Sequence, residues 1–273
     1  MIEEKTIVII GCGSGIGRSL FDLLADTNFQ IIACENDEIK VKSLQQTQSD
    51  KKENIEIIQF DICNSSNREK LAKLIHDKYK EIYALVISAG KHSTSPVEYV
   101  LDNDIDQIID VNLISHIKLV RDLLPYIREN GKIIGISSLA GCMGVPMSSI
   151  YSASKFGLEG FYETLWYDTK YRKIYPSIIQ IGAVNTGFNE TGNNFKSNTS
   201  EYLSKAYSQV ISKIHSKNGI SPYNVAKIIA KILKTRKPKF QYIIGLNAKK
   251  AYYARWLLGR KWAMLLMKKY FQL

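Results

Sequence analysis

The stretch Lys5-Thr6-Ile7-Val8-Ile9-Ile10-Gly11-Cys12-Gly13-Ser14-Gly15-Ile16-Gly17 decides how the chain is read. Its first half is apolar on alternate and adjacent positions alike. Such a strand is buried on both faces, as the strands of a parallel sheet are. The glycines that follow allow a tight turn and a close approach of backbone amides to a ligand. They also let the next helix pack closely on the sheet. The start of that helix offers free N–H groups and the positive end of its dipole, which together suit a phosphate. The spacing reads G-x-x-x-G-x-G, which differs from G-x-G-x-x-G. Placed after the first strand of an alternating pattern, Gly11, Gly13, Ser14, Gly15, Ile16 and Gly17 form a candidate pyrophosphate site.

Outward from this turn, short apolar runs alternate with helical periods. Strands are expected over residues 5–10, 30–34, 55–60, 83–88, 132–137, 177–181 and 241–245. The strongest helical stretches are 16–26, 68–78, 111–128 and 151–171. This rhythm implies an α/β fold: a single-domain, Rossmann-type, doubly wound parallel sheet of about seven strands with helices on both faces. In such a sheet ligands bind beyond the carboxyl ends of the strands. The catalytic domain is expected over 1–247, with 248–273 as a basic, aromatic extension. Residues 187–198 are the least regular stretch, and a substrate lid is expected over about 187–220.

Other strand ends fit the same ligand path. Glu35 closes the second strand, where a carboxylate accepts from both adenosine ribose hydroxyls and repels a 2′-phosphate. Asn36 follows it in place of a phosphate-binding Arg, which favours NAD over NADP. Asp61, followed by Ile62, closes the third strand, where a carboxylate can accept from the adenine amino group. Ser88-Ala89-Gly90 closes the fourth, and small residues there leave room for a cofactor passing over the backbone.

Tyr151 and Lys155 stand at i and i+4 of a helical segment and share a face. A tyrosine with an ordinary pKa of about 10 is a poor base, and a nearby ammonium favours its phenolate. That spacing is common by chance. Ser138, at the end of the strand 132–137, supplies a hydroxyl that can hold a substrate oxygen beside Tyr151. Asn112 is a poor helix former inside a helical stretch. A side-chain or water-bridged backbone contact to Lys155 would account for it.

Together, G-x-x-x-G-x-G, Asp61, Ser88-Ala89-Gly90, Asn112, Ser138, Tyr151 and Lys155 make the chain, over roughly residues 5–245, resemble the short-chain dehydrogenase/reductase family. The resemblance implies that Tyr151 is the acid/base, Lys155 lowers its pKa and binds the nicotinamide ribose, Ser138 positions the carbonyl, and Asn112 supports the proton relay. Tyr151-Ser152-Ala153-Ser154-Lys155-Phe156-Gly157 and the run after it look closest to hydroxysteroid and retinol dehydrogenases. By that likeness residues 181–186 form a loop beneath the nicotinamide, with Gly182, Val184 and Thr186 binding the cofactor. Ile10, Ser88 and Ile181 depart from the family's usual Thr, Asn and Pro. All three lie away from the proton and hydride path.

Composition bounds the rest. The chain has 273 residues, 45% of them hydrophobic, with no secretory leader pattern and no spanning segment, so a cytoplasmic globular enzyme is expected. Four scattered cysteines and four scattered histidines give no metal-ligand spacing and fit free thiols in a reducing compartment. The net charge of +11 is uneven. Residues 1–201 hold 21 Lys and Arg against 26 Asp and Glu, while 202–273 hold 16 Lys and Arg and no acid. Residues 248–273 interleave seven of those bases with Trp, Leu, Tyr and Phe. Such a helix can pack over the pocket or a neighbouring subunit, lie in the headgroup layer of an anionic membrane, or recruit an anionic substrate or acyl carrier. No nucleic-acid module is recognisable. The expected activity is alcohol–carbonyl interconversion on an apolar substrate, in a dimer or tetramer. The alternative is a non-catalytic cofactor-binding scaffold or redox sensor, which would have no need of the full Asn112, Ser138, Tyr151 and Lys155 set.

Overall fold

The computed structural model of the protein describes residues 5–47, 54–185, 201–214 and 219–273. Seven strands form one sheet: β1 (Lys5–Ile10), β2 (Phe29–Glu35), β3 (Ile55–Gln59), β4 (Ile82–Ile87), β5 (Ile127–Ser138), β6 (Tyr175–Ile181) and β7 (Gln241–Ile244). Their order is β3-β2-β1-β4-β5-β6-β7, and every pairing is parallel. Ile7, Val8 and Ile9 are fully buried, as expected of a strand covered on both sides.

Helices cover both faces. On one, α1 (Gly15–Ala25), α2 (Glu38–Thr47) and α8 (Pro222–Lys234) pack Leu20, Phe21, Leu44, Ile229 and Leu233 against Ile7, Ile9 and Ile31, with α1 lying directly on α8. On the other, α3 (Ser65–Leu74), α5 (Ser115–Leu123) and α6 (Ser149–Asp168) pack Leu71, Leu119, Leu158 and Tyr162 against Val8, Leu85 and Ile133. Each such side chain, fully buried, is worth about 1.5–3 kcal/mol. Among the described residues, the remaining α-helices are α4 (Asp102–Ile109), α7 (Glu201–Ile214) and α9 (Leu246–Phe271).

The strand order reverses direction between β2-β1 and β4-β5, so the switch point lies between β1 and β4. The splayed connections there open a crevice at the carboxyl ends of those strands. The Gly11 turn and Ser88–Gly90 both leave the sheet at this point.

Two expected elements differ. The helix expected over 111–128 is broken up: a π turn occupies Asp110–Ile114, α5 ends at Leu123, and β5 has begun by Ile127. Pro125 cannot continue a helix, and Ile127 pairs with Ile82. The helix expected over 151–171 ends at Asp168 and gives way to a tight turn at Lys170–Arg172.

Candidate active site

The glycine turn is built for close approach. Gly11 has φ +80°, and a Cβ there would stand 2.8 Å from the Ala89 backbone nitrogen. A Cβ on Gly17 would stand 1.9 Å from the Gly11 carbonyl oxygen. These two glycines bring β1, α1 and the end of β4 into contact. Ser14 is the N-cap of α1 in extended conformation, and its hydroxyl does not cap the first turn. A Cβ-free cradle with an uncapped helix start fits a dinucleotide pyrophosphate. Ile16 is buried beneath it in the core.

Glu35 ends β2 with only 8% of its surface exposed. One carboxylate oxygen accepts from Gly13 N at 2.6 Å, and the other accepts from Asn36 N and Asp37 N at 3.1 Å each. The acid thus faces the glycine turn. Asp61 accepts from Cys63 N at 2.9 Å and so fixes the turn after β3. Ile62 beside it is buried, and its carbonyl accepts from Arg68 Nη1 at 2.7 Å. Ser88 N and Ala89 N both donate to Ile10 O, which ties the end of β4 to the end of β1. Gly90 continues that bend over the crevice.

Ser138 is the last residue of β5, and its hydroxyl accepts from Ala140 N at 3.1 Å. Tyr151 lies in the first turn of α6, near enough to Ser138 for that hydroxyl to favour its phenolate. Burial pushes the Tyr151 phenol up to about 12, with Ser138 acting the other way. Lys155 is buried one turn on, and its Nζ donates to Ile136 O at 2.8 Å and stands 5.7 Å from the Tyr151 ring centroid. Burial lowers its pKa to about 8, while the charge of Glu159 acts to raise it. The phenol is therefore protonated in this arrangement, and burial outweighs any help from the lysine.

Asn112 sits in the π turn between α4 and α5 and is 1% exposed. Its Oδ1 accepts from Lys91 N at 2.7 Å, while its Nδ2 donates to Lys91 O at 2.8 Å and to Ser154 Oγ at 3.0 Å. The expected side-chain contact to Lys155 is absent among these bonds. The amide instead clamps the chain just after Gly90 onto α6. A single π turn inside a helix dislocates its backbone ladder, which is frequent at functional sites.

The sequence reading missed two neighbours. His92 is buried, its ring edge-on to Tyr151 at 4.6 Å between centroids. The Asn112 clamp on Lys91 and a contact of His92 Nε2 with Ser148 Oγ at 3.4 Å hold it there, and no spacing rule would reveal that. Glu159 is buried on α6 one turn beyond Lys155, beside Ser137 and Gln180, and burial holds its carboxyl above the usual carboxylate range. Its signal was available: Tyr151, Lys155 and Glu159 repeat every four residues. Gly182 N donates to Ile244 O, and Val184 bridges Ile220 in parallel. Thr186 lies outside the described residues, as does most of the expected lid.

An uncapped glycine turn at a switch point, facing a hydroxyl pair and a buried lysine, defines a nucleotide-dependent oxidoreductase of the doubly wound class. The family model for short chain dehydrogenase matches residues 5–197, and the chain belongs to that family. It is accordingly an NAD(P)-dependent enzyme acting on alcohol or carbonyl groups. The chain is 29% identical over 262 residues to 3-amino-tetrahydro-pyrrolizinone reductase of Xenorhabdus hominickii, covering 91% of this chain and 89% of that protein. It is 28% identical over 249 residues to retinol dehydrogenase 8 of Bos taurus, covering 86% and 79%. Among solved structures, a short chain dehydrogenase/reductase from Burkholderia phymatum in complex with NAD matches with a TM-score of 0.79 at 21% identity, over 93% of this chain and 94% of that one.

Proposed function

We propose that the protein interconverts an apolar alcohol and its carbonyl, with Tyr151 exchanging the proton and Ser138 holding the substrate oxygen. The observation that carries this reading is Ser138, at the end of β5, acting on the buried Tyr151 phenol, with buried Lys155 one turn further along α6. A substrate oxygen placed between the two hydroxyls meets a donor on each side. Bound nicotinamide supplies or accepts the hydride. In oxidation the Tyr151 phenolate would take the alcohol's O–H proton while a nicotinamide cofactor held at the glycine turn would accept the C–H hydride; in reduction the Tyr151 phenol would return the proton. Lys155 stabilises the phenolate by charge, Glu159 helps keep that charge, and Asn112 fixes the segment that carries His92. Substitution of Tyr151 by Phe should abolish turnover while nucleotide binding persists. Turnover by that variant within about tenfold of the parent would sink the mechanism.

NAD is proposed over NADP because Glu35, an acid at the end of β2 bonded to the glycine turn, would repel a 2′-phosphate. Side-by-side titrations of the two nucleotides test this, and tighter NADP binding would refute it. An apolar substrate of the sterol, retinoid or fatty type is supported by the likeness to retinol dehydrogenase 8. A panel of alcohols and ketones of graded chain length checks it. A dimer or tetramer is proposed from the family, and sedimentation velocity decides it. The buried thiols of Cys12 and Cys34 support a reducing, cytoplasmic setting. Residues 1–247 are proposed as the catalytic unit; the basic extension corresponds to α9, which begins at Leu246.

A further inference from the structure

α9 buries the wrong residues for a helix of an ordinary soluble surface. Its buried positions are Ala248, Ala263 and Phe271. Its exposed ones include Leu246, Tyr253, Trp256, Leu257, Trp262 and Leu266, with Trp256 75% and Trp262 62% exposed. A packed helix turns its large apolar side chains inward and leaves small or polar ones outside. Clusters of exposed apolar surface on this scale mark interaction sites.

The faces follow from the spacing. Gly259, at φ +77° and ψ 171°, divides α9 into two helical arms. In the first, Leu246, Tyr253 and Leu257 (i, i+7, i+11) share the outward face, flanked by exposed Lys249 and Lys250. In the second, Trp262, Leu265 and Leu266 (i, i+3, i+4) point outward with Lys269, opposite Ala263, Met267 and Phe271. Each arm therefore presents an apolar stripe interleaved with cations. From residue 202 onward there is no Asp or Glu to neutralise them.

We infer that the outward faces of the two α9 arms form a docking surface for an anionic lipid bilayer. Trp and Leu enter the headgroup boundary while Lys and Arg meet lipid phosphates. Charge decides between a membrane and a second copy of the chain. A two-fold contact through α9 would set one acid-free cationic patch against another, with no counter-charge from either side. Among the described residues no helix is long and apolar enough to cross a membrane, so the contact lies on the surface. The inference does not depend on which alcohol is turned over.

The test is co-sedimentation of the full chain with phosphatidylcholine vesicles, with and without phosphatidylserine, at about 0.1 M salt. Bound protein should rise at least about tenfold with the anionic lipid and fall as salt is raised. Trp emission should shift to shorter wavelength as Trp256 and Trp262 leave water. The double variant W262E/L266E, at two exposed positions, should lose vesicle binding about tenfold or more while keeping its circular dichroism and its turnover of a short-chain alcohol. No binding to anionic vesicles, or equal binding to neutral ones, would overturn the inference. So would a self-associated species that the same two substitutions dissociate, because that result assigns the face to a second copy.

Discussion

Tyr151 keeps its proton tightly because burial disfavours the phenolate more than Ser138 favours it, which leaves the phenol at about 12. The sign of the pH dependence follows. Carbonyl reduction draws on the phenol, which is fully present around neutrality, so its kcat/KM should be flat there. Alcohol oxidation draws on the phenolate, so its kcat/KM should climb from about pH 7 to about pH 10. An oxidation profile without that rise would contradict the role given to Tyr151. Much at this scale was legible in the sequence, because Tyr151, Lys155 and Ser138 lie within one strand–turn–helix passage whose geometry local rules control. Asn112 was legible as an oddity but not in its contacts. Its partners Lys91 and Ser154 are 21 and 42 residues away, and only the packed fold brings them together. His92 was illegible for the same reason.

At the scale of elements, Gly135 of β5 shows how tightly the sheet is packed beneath the site. A Cβ there would lie 2.5 Å from the Tyr162 ring and hydroxyl, and that hydroxyl pairs with buried His116 Nε2 at 3.0 Å. Gly135→Ala should therefore cost about 1–3 kcal/mol, read as a lower urea midpoint with the slope unchanged. Arg68 is a second case. It is 5% exposed and holds both Ile62 O and Asp122, so Arg68→Met should cost about 1.5–3 kcal/mol and loosen the turn after β3. All seven strands were legible from their apolar runs, most plainly where both faces are covered as in β1 and β4; the first residues of β5, Ile127–Gly131, were not. The helix expected over 111–128 was not. Its apolar period runs on through Leu123 and Leu124, and nothing local shows that Ile127 will pair with β4. The π turn was equally invisible, because it reflects the Asn112 clamp and leaves no mark in the pattern of apolar residues.

For the whole molecule, nucleotide binding should be measurable as stability. A ligand that binds only the folded chain, at about 100 times its Kd, adds about 2.7 kcal/mol. NAD should therefore raise the thermal midpoint, and NADP at equal concentration should raise it less; the reverse order would contradict the reading of Glu35. The charge asymmetry was plain in the sequence, but which side chains of α9 face outward was not. Chain order has a further effect on this architecture. The helix behind the glycine turn, α1, lies against α8, which begins about 200 residues later. During synthesis β1 and α1 leave the ribosome well before α8, and their apolar face has no permanent cover until Leu233 has emerged. The nascent chain must carry that exposed surface while the residues between α1 and α8 are translated, which makes this face a natural place for chaperone contact. The cofactor turn is made long before the helix that supports it.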